Sequence, residues 1–409
     1  LAFRGVFEKT KKSCLADRKR ILWLLISPDT TFPLLSHRPL YSMITGHKAP
    51  PRVAEKTKQM FRILSLDGGG IRGIMTAVWL AELRRLLGRP LYNFFDLIAG
   101  TSTGAILAAA IALDLDLDVI IAFYENRGRD IFPFTRLGKR KRGIASAVRA
   151  ALDMLTDPKY DGKRLAEHLL AVFSEGGIPY KLRDVKCRLL VTAYDVFARA
   201  PYMMRSHLES DHDIPVWEAI KSSCSAPVYF PAHDLAYGDI KRPLVDGGMV
   251  ANNPAACALA EAVHLRRKDS YLDFEGQIIL ASFGTGSSTR PIQRAQAATW
   301  GALEWAFPII DVLMDGTADA THFICQQILP SDLYFRFQAP LTGASDDLDD
   351  ASPENINNLK ALAKSFLEMS GSDDLQRLAT ALNTPRARIP SNGGGKRKSG
   401  QKKATGLKS

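Results

Sequence analysis

Two short apolar runs in the first quarter of the chain each break abruptly into glycine. The first is Phe61-Arg62-Ile63-Leu64-Ser65-Leu66, a β-rich run followed by Asp67-Gly68-Gly69-Gly70-Ile71-Arg72-Gly73 and an amphipathic helical pattern from about Ile74 to Leu87. The second, Asp96 to Ala99, runs into Gly100-Thr101-Ser102-Thr103-Gly104 and an almost unbroken apolar helix from Ala105 to Leu113. Helical patterns continue from Asp114 to Gly128 and on through Phe173. Lys186 to Val196 reads as a central strand with a hairpin partner at Pro201 to His207, and Val216 to Cys224 as a short helix before a proline-punctuated loop, Ser225 to Pro231. Leu244-Val245-Asp246-Gly247-Gly248 is a brief apolar run ending in a tight turn. Asn252-Asn253-Pro254 starts a helix to about Arg267, and Gln277 to Phe283 is a further strand. The segment from Thr299 to Leu329 reads as helical, with Trp300, Trp305 and Phe307 expected in a core. Leu333 to Phe337 reads as an edge strand, and Ser352-Pro353 as the N-cap and first position of a helix through Met369. No internal repeat is present, and strand–turn–helix units on this scale predict an α/β protein.

At 409 residues with 46% hydrophobic content the chain can bury a large core. No run reaches the roughly 20 apolar residues of a membrane span. Ile21 to Ile26 is too short for a span and lacks a secretory-type cleavage site. Five scattered cysteines without a Cys-x-x-Cys pair argue for a reducing compartment, against a disulfide framework and against a bound metal. The net charge of +11 sits at the ends. Residues 1–58 carry twelve Lys/Arg against four acids, and residues 385–409 carry eight Lys/Arg and no acid, so the middle is mildly acidic. This divides the chain into a basic N-terminal extension (1–58, with one helix expected near Arg18 to Ile26), a core (59–290), a C-terminal helical region packed on it (291–384) and a disordered basic tail (385–409). Basic ends suit an anionic membrane surface or nucleic acid; solvated tails are the commoner explanation and the one favoured for the C-terminus. Phe132 and Phe134 beside the basic run Lys139 to Arg142 fit either a membrane-touching loop or an ordinary charged loop.

Gly-x-Ser-x-Gly between a strand and a helix is the setting of a nucleophile elbow, with Ser102 at its tip; a small-residue loop is the plainer reading. Gly68-x-Gly70-x-x-Gly73 matches the dinucleotide fingerprint, which keeps a non-hydrolytic nucleotide-binding module open as an alternative. Against that, Asp96 opens its strand, where a ribose-binding acid would close one. Three consecutive glycines also expose backbone N–H groups able to hold an oxyanion, and Arg72 adds positive charge nearby. Asp246 is either a second catalytic group or an ordinary Asp-Gly turn. The eight histidines fall in no catalytic pattern, although a Ser-His-Asp esterase of soluble esters stays among the alternatives.

Taken together and in order, Asp67 to Gly73, Gly100 to Gly104 and Asp246 to Gly248 resemble the patatin-like phospholipase family, with Ser225-Ala226-Pro227, Asn252 to Pro254 and Gly284 to Gly286 as supporting matches over about residues 60–290. The resemblance implies a three-layer α/β/α fold with a central, mostly parallel sheet, related to the α/β-hydrolases. It implies hydrolysis of phospholipid acyl esters without a cofactor, with Ser102 as nucleophile, Asp246 as its partner and the Gly68–Gly69–Gly70 backbone as oxyanion hole. The implied setting is cytoplasmic, at the phospholipid surface on the inner face of the membrane, with no nucleic-acid polymer as partner. The basic N-terminus and Trp-rich C-terminal region look similar to bacterial antiphage effectors of the family, which would add a cyclic dinucleotide activator; homo-oligomers are compatible with the same likeness.

Overall fold

The computed structural model describes residues 60–133, 157–237, 240–268, 277–306 and 308–384. The helix expected near Arg18 to Ile26, the basic run Lys139 to Arg142 and the tail 385–409 lie outside these residues.

The described residues form ten strands: β1 (Phe61–Leu66), β2 (Leu97–Gly100), β3 (Ser174–Glu175), β4 (Ile178–Pro179), β5 (Arg188–Asp195), β6 (Ala200–Arg205), β7 (His233–Tyr237), β8 (Ile240–Asp246), β9 (Ile278–Phe283) and β10 (Tyr334–Phe337). β3 and β4 form a separate small hairpin, and the other eight make one sheet in the order β10-β9-β1-β2-β5-β8-β7, with β6 paired to β5. The five strands from β10 to β5 are mutually parallel; β6, β7 and β8 pair antiparallel. The helices among the described residues are α1 (Gly73–Leu87), α2 (Thr103–Leu113), α3 (Leu117–Ile131), α4 (Lys163–Val172), α5 (Val216–Ser223), α6 (Gly248–Ala251), α7 (Ala255–Lys268), α8 (Arg294–Thr299), α9 (Ala302–Trp305), α10 (Pro308–Ile328), α11 (Pro353–Phe366) and α12 (Ser372–Asn383). Parallel strands need crossover connections, which α1 supplies from β1 to β2, α2 to α4 from β2 to β5, and α8 to α10 from β9 to β10.

Strand alternation sorts the core into two faces. Leu64 and Leu66 of β1, Ile98 of β2 and Ile279 of β9 pack with α1, α2 and α11, whereas Ile63, Leu97, Ala99 and Leu280 pack with α7 and with Cys325 of α10. The result is a three-layer α/β/α arrangement around a mostly parallel sheet. α2 is buried along its whole length, which explains its lack of any polar face. No helix among the described residues is long and apolar enough to cross a membrane.

The tryptophans depart from expectation. Trp300 and Trp305 are half-buried and meet each other edge to face, with centroids 5.2 Å apart. The tryptophan at the centre of the core is Trp79 of α1, whose indole N–H donates to the Ala363 carbonyl at 3.0 Å. The helix starting at Pro353 also stops short of Met369, ending at Phe366 in a π turn (Leu367–Gly371) before α12.

Candidate active site

Register brings the two chemical groups together. On β5, Leu190 and Val191 pair with β2 on one edge and with β6 on the other, while Ala193 to Asp195 pair with β6 and with β8. β2 and β8 therefore share one edge of β5 and run toward each other along it. Gly100 lies opposite Val191 and Asp246 opposite Ala193, two positions further on, a separation of about 7 Å at the rise of a strand.

At the end of β2 the chain turns through Ser102 at φ 52° and ψ −123°, a strained conformation for a residue with a Cβ. The flanking glycines make the turn possible. A Cβ on Gly100 would lie 2.4 Å from the Gly104 carbonyl oxygen, and one on Gly104 would lie 2.2 Å from that of Leu66. Thr101 anchors the turn, its Oγ1 donating to the Ala251 carbonyl (2.6 Å) and meeting Thr192 Oγ1 (2.7 Å). The Ser102 amide donates to Ser223 Oγ at 2.8 Å.

Asp246 is fully buried. Its Oδ1 accepts the Gly248 amide at 2.7 Å, and its own amide donates to the Ser225 carbonyl at 3.0 Å. Oδ2 makes no well-formed hydrogen bond. Burial raises the carboxyl's pKa to about 7, against the opposing pull of the Gly248 amide, the Ser102 hydroxyl and Lys221. The same hydroxyl acts on the buried Cys224 thiol, so Ser102 Oγ is close to both groups. Ser102, Asp246, Cys224 and Gly70 line one cavity of about 60 Å³, whose remaining wall is largely apolar and includes Phe123, Phe132, Phe230 and Met314. Phe132, one of the pair that fits either a membrane-touching loop or an ordinary charged one, packs on Tyr160 and Phe230 at this cavity.

The three loop glycines are not equivalent. The Gly68 amide donates to the Asn252 carbonyl at 3.0 Å, whereas the Gly69 and Gly70 amides donate no hydrogen bond among the described residues. A trans peptide points its N–H opposite to its C=O. The Gly68 carbonyl is held by Thr285 Oγ1 at 2.8 Å, and the Gly69 carbonyl by Arg72 Nε at 3.2 Å. Each tie therefore turns the next amide, of Gly69 and Gly70 respectively, the other way. Arg72 is buried and its Nη1 also bonds the Asp346 carbonyl at 3.3 Å, so it braces the loop through backbone oxygens.

Gly70 has φ 58°, and a Cβ there would lie 2.1 Å from the Leu348 carbonyl oxygen, which accepts the Ile71 amide at 2.9 Å. Gly70→Ala is therefore expected to displace the loop and reduce kcat on a soluble chromogenic ester by about 10²-fold, the cost of losing or misaiming one oxyanion donor. An unchanged kcat in the folded variant would exclude Gly70 from that role.

Three contributors escaped the sequence reading. Thr192 links the serine turn and the Asp-Gly-Gly turn, since its Oγ1 meets Thr101 Oγ1 and would lie 2.1 Å from a Cβ on Gly247. Met314 and Leu348 close the cavity from far along the chain. Among the described residues no histidine lines the cavity. His207 pairs with Glu261 at 2.7 Å and His322 with the Tyr334 hydroxyl at 2.9 Å.

The patatin-like phospholipase family profile matches residues 64–259. Patatin-like protein 2 of Oryza sativa subsp. indica is 32% identical over 359 residues, covering 77% of this chain and 85% of that protein. Patatin-like protein 2 of Arabidopsis thaliana is 30% identical over 345 residues (75% and 82%), and patatin group M-1 of Solanum tuberosum 28% over 356 residues (78% and 86%). With its glycine loop, serine turn and Asp-Gly-Gly turn in matching order and converging on one pocket, the chain belongs to the patatin-like phospholipase family.

Proposed function

We propose that the protein is a lipid acyl hydrolase that cleaves carboxylic esters of membrane phospholipids through a Ser102/Asp246 dyad. The observation that carries this reading is the shared cavity: a strained serine and a buried carboxyl titrating near neutrality meet in an apolar pocket beside undonated amides. A base with a pKa near working pH combines an available lone pair with real proton affinity.

Asp246 takes the proton of Ser102 as Oγ attacks the ester carbonyl carbon. The Gly69 and Gly70 amides hold the resulting oxyanion, and the Gly68 amide, already committed, serves the loop's architecture. Asp246 then passes the proton to the leaving oxygen, releasing a lysolipid and leaving an acyl group on Ser102. Water attacks the acyl-enzyme, giving its proton to Asp246 and then to Ser102 as the fatty acid departs. The apolar wall suits an acyl chain. Further parts of the reading are a phospholipid surface at the inner face of the membrane as the place of action and a cyclic dinucleotide as activator.

The test is incubation with mixed-phospholipid vesicles, with and without cyclic dinucleotides. The wild type is expected to release fatty acid and lysolipid, and Ser102→Ala to fall below about 10⁻⁴ of that rate and lose labelling by a serine-directed fluorophosphonate. Equal release by both proteins would sink the dyad. Wild-type release that ignores the nucleotide would remove the activator and leave the chemistry standing.

A further inference from the structure

Lys221, on the last turn of α5, is only 4% exposed. Its Nζ donates to Ser225 Oγ at 3.0 Å, and that hydroxyl donates in turn to the Lys221 carbonyl at 2.9 Å. The ammonium also lies 5.4 Å from the centroid of the Phe230 ring, a residue of the cavity wall. On its far side the chain is tight, since a Cβ on Gly162 would come within 3.1 Å of Nζ. Lys221 makes no salt bridge with a carboxylate among the described residues. A buried ammonium with three N–H groups and, among the described residues, one neutral acceptor is costly to maintain, and burial lowers the pKa of Lys221 while Cys224, Asp161 and Asp246 pull it back up.

Ser225, the residue that holds Nζ, accepts the backbone amide of Asp246 through its carbonyl at 3.0 Å. The Lys221 ammonium and the backbone of Asp246 are thus both tied to Ser225. The groups that act on the Asp246 carboxyl are the Gly248 amide of its own turn, the Ser102 hydroxyl and Lys221 at the end of α5, and the carboxyl in turn raises the pKa of the buried Cys224 thiol. Lys221 is the cation among them. Facing Lys221 are Cys224, Asp161 from the loop before α4, and Asp246.

We propose that Lys221 is a positioning residue for the reaction, its buried ammonium keeping Asp246 in the ionised, proton-accepting form near neutral pH. The inference rests on the Ser102/Asp246 reading. Coulombic attraction between Lys221 and Asp246 favours the carboxylate, the direction the proposal requires.

The experiment measures kcat/KM on a soluble ester from pH 5.5 to 9 for the wild type, Lys221→Met, Lys221→Arg and Ser225→Ala. Removing the charge is expected to move the acid limb of Lys221→Met upward by about one pH unit, making it about tenfold slower below the limb and nearly equal to wild type at pH 9. Lys221→Arg is expected to keep the wild-type limb. A loss of equal factor at every pH, an unmoved limb in Lys221→Met, or a limb displaced equally in Lys221→Arg would overturn the proposal. Where Lys221→Met does not fold, Ser225→Ala decides: freeing the ammonium from its anchor must raise the limb, and an unchanged profile counts against it. Asp246→Asn separates the two levels. If it retains wild-type activity the dyad itself fails; if it is inactive while Lys221→Met titrates like wild type, only the role of Lys221 falls.

Discussion

Asp246→Asn is expected to lower kcat by about 10⁴-fold or more and yet to make the protein harder to unfold above neutral pH. The first effect follows from removing the proposed base for the Ser102 proton, a group whose loss in nucleophile–base systems costs about this much. The second follows from linkage. The folded-state pKa of Asp246 is raised from 3.8 to about 7, by burial above all. A carboxyl raised on folding contributes stability that is fully present below its unfolded pKa and lost as pH rises through the folded value. At pH 8 the native protein therefore holds a poorly solvated carboxylate. The interval between 3.8 and about 7 corresponds to an upper bound of roughly 4 kcal/mol. Asparagine keeps an oxygen for the Gly248 amide and carries no charge. Thermal melts at pH 8 are expected to place Asp246→Asn several degrees above wild type, with the two converging near pH 4. The wild type's kcat/KM is expected to rise with pH through about 7 as the carboxyl ionises. A melt at pH 8 lower than wild type, or a rate independent of pH between 5.5 and 8, would contradict the assigned base.

Arg336→Ala is expected to destabilise the fold by about 3–5 kcal/mol, the usual cost of leaving one buried charge without its partner. Arg336 on β10 donates from Nη2 to Asp67 Oδ2 at 2.6 Å and from Nη1 to Ser282 Oγ at 2.8 Å, and both members of the ion pair are almost fully buried. Asp67 opens the glycine loop, and its Oδ1 already has no hydrogen bond. Burial raises its pKa to about 6 even with the guanidinium opposing the shift. Without Arg336 that pKa climbs further, so the penalty measured by urea denaturation is expected to be larger at pH 8 than at pH 5. Asp67→Asn combined with Arg336→Met is expected to recover most of the loss, because an absent ion pair is far cheaper than half of one. A single variant within 1 kcal/mol of wild type would mean that water reaches Asp67.

Much of the site was legible in order along the chain. Gly70, Gly100 and Gly104 announce themselves because only residues without a Cβ fit where backbone carbonyl oxygens lie within 2.4 Å of the position a Cβ would take. The strands β1, β2 and β9 were readable as apolar runs because both their faces are covered. What stayed illegible depended on partners distant in sequence. Nothing local to Gly68 says that its amide belongs to Asn252, and nothing near Trp300 says that the core tryptophan is Trp79. Thr192 occupies an ordinary strand position, recognisable as a link between two turns only once Gly100 and Asp246 are laid along β5.

By itself, then, the sequence determined the local conformations: where the backbone bends sharply, which strand ends in a hydroxyl and which in a carboxyl, and which segments alternate with a helical or an extended period. Those are properties of a few neighbouring residues and their Cβ atoms. Only the tertiary structure decided that the two strand ends face each other on one edge of β5, that the pocket around them is dry enough to carry a carboxyl to about 7, and that Lys221 is buried against Ser225. Convergence and desolvation are sums over contacts among residues up to hundreds of positions apart, and no short stretch of chain contains them.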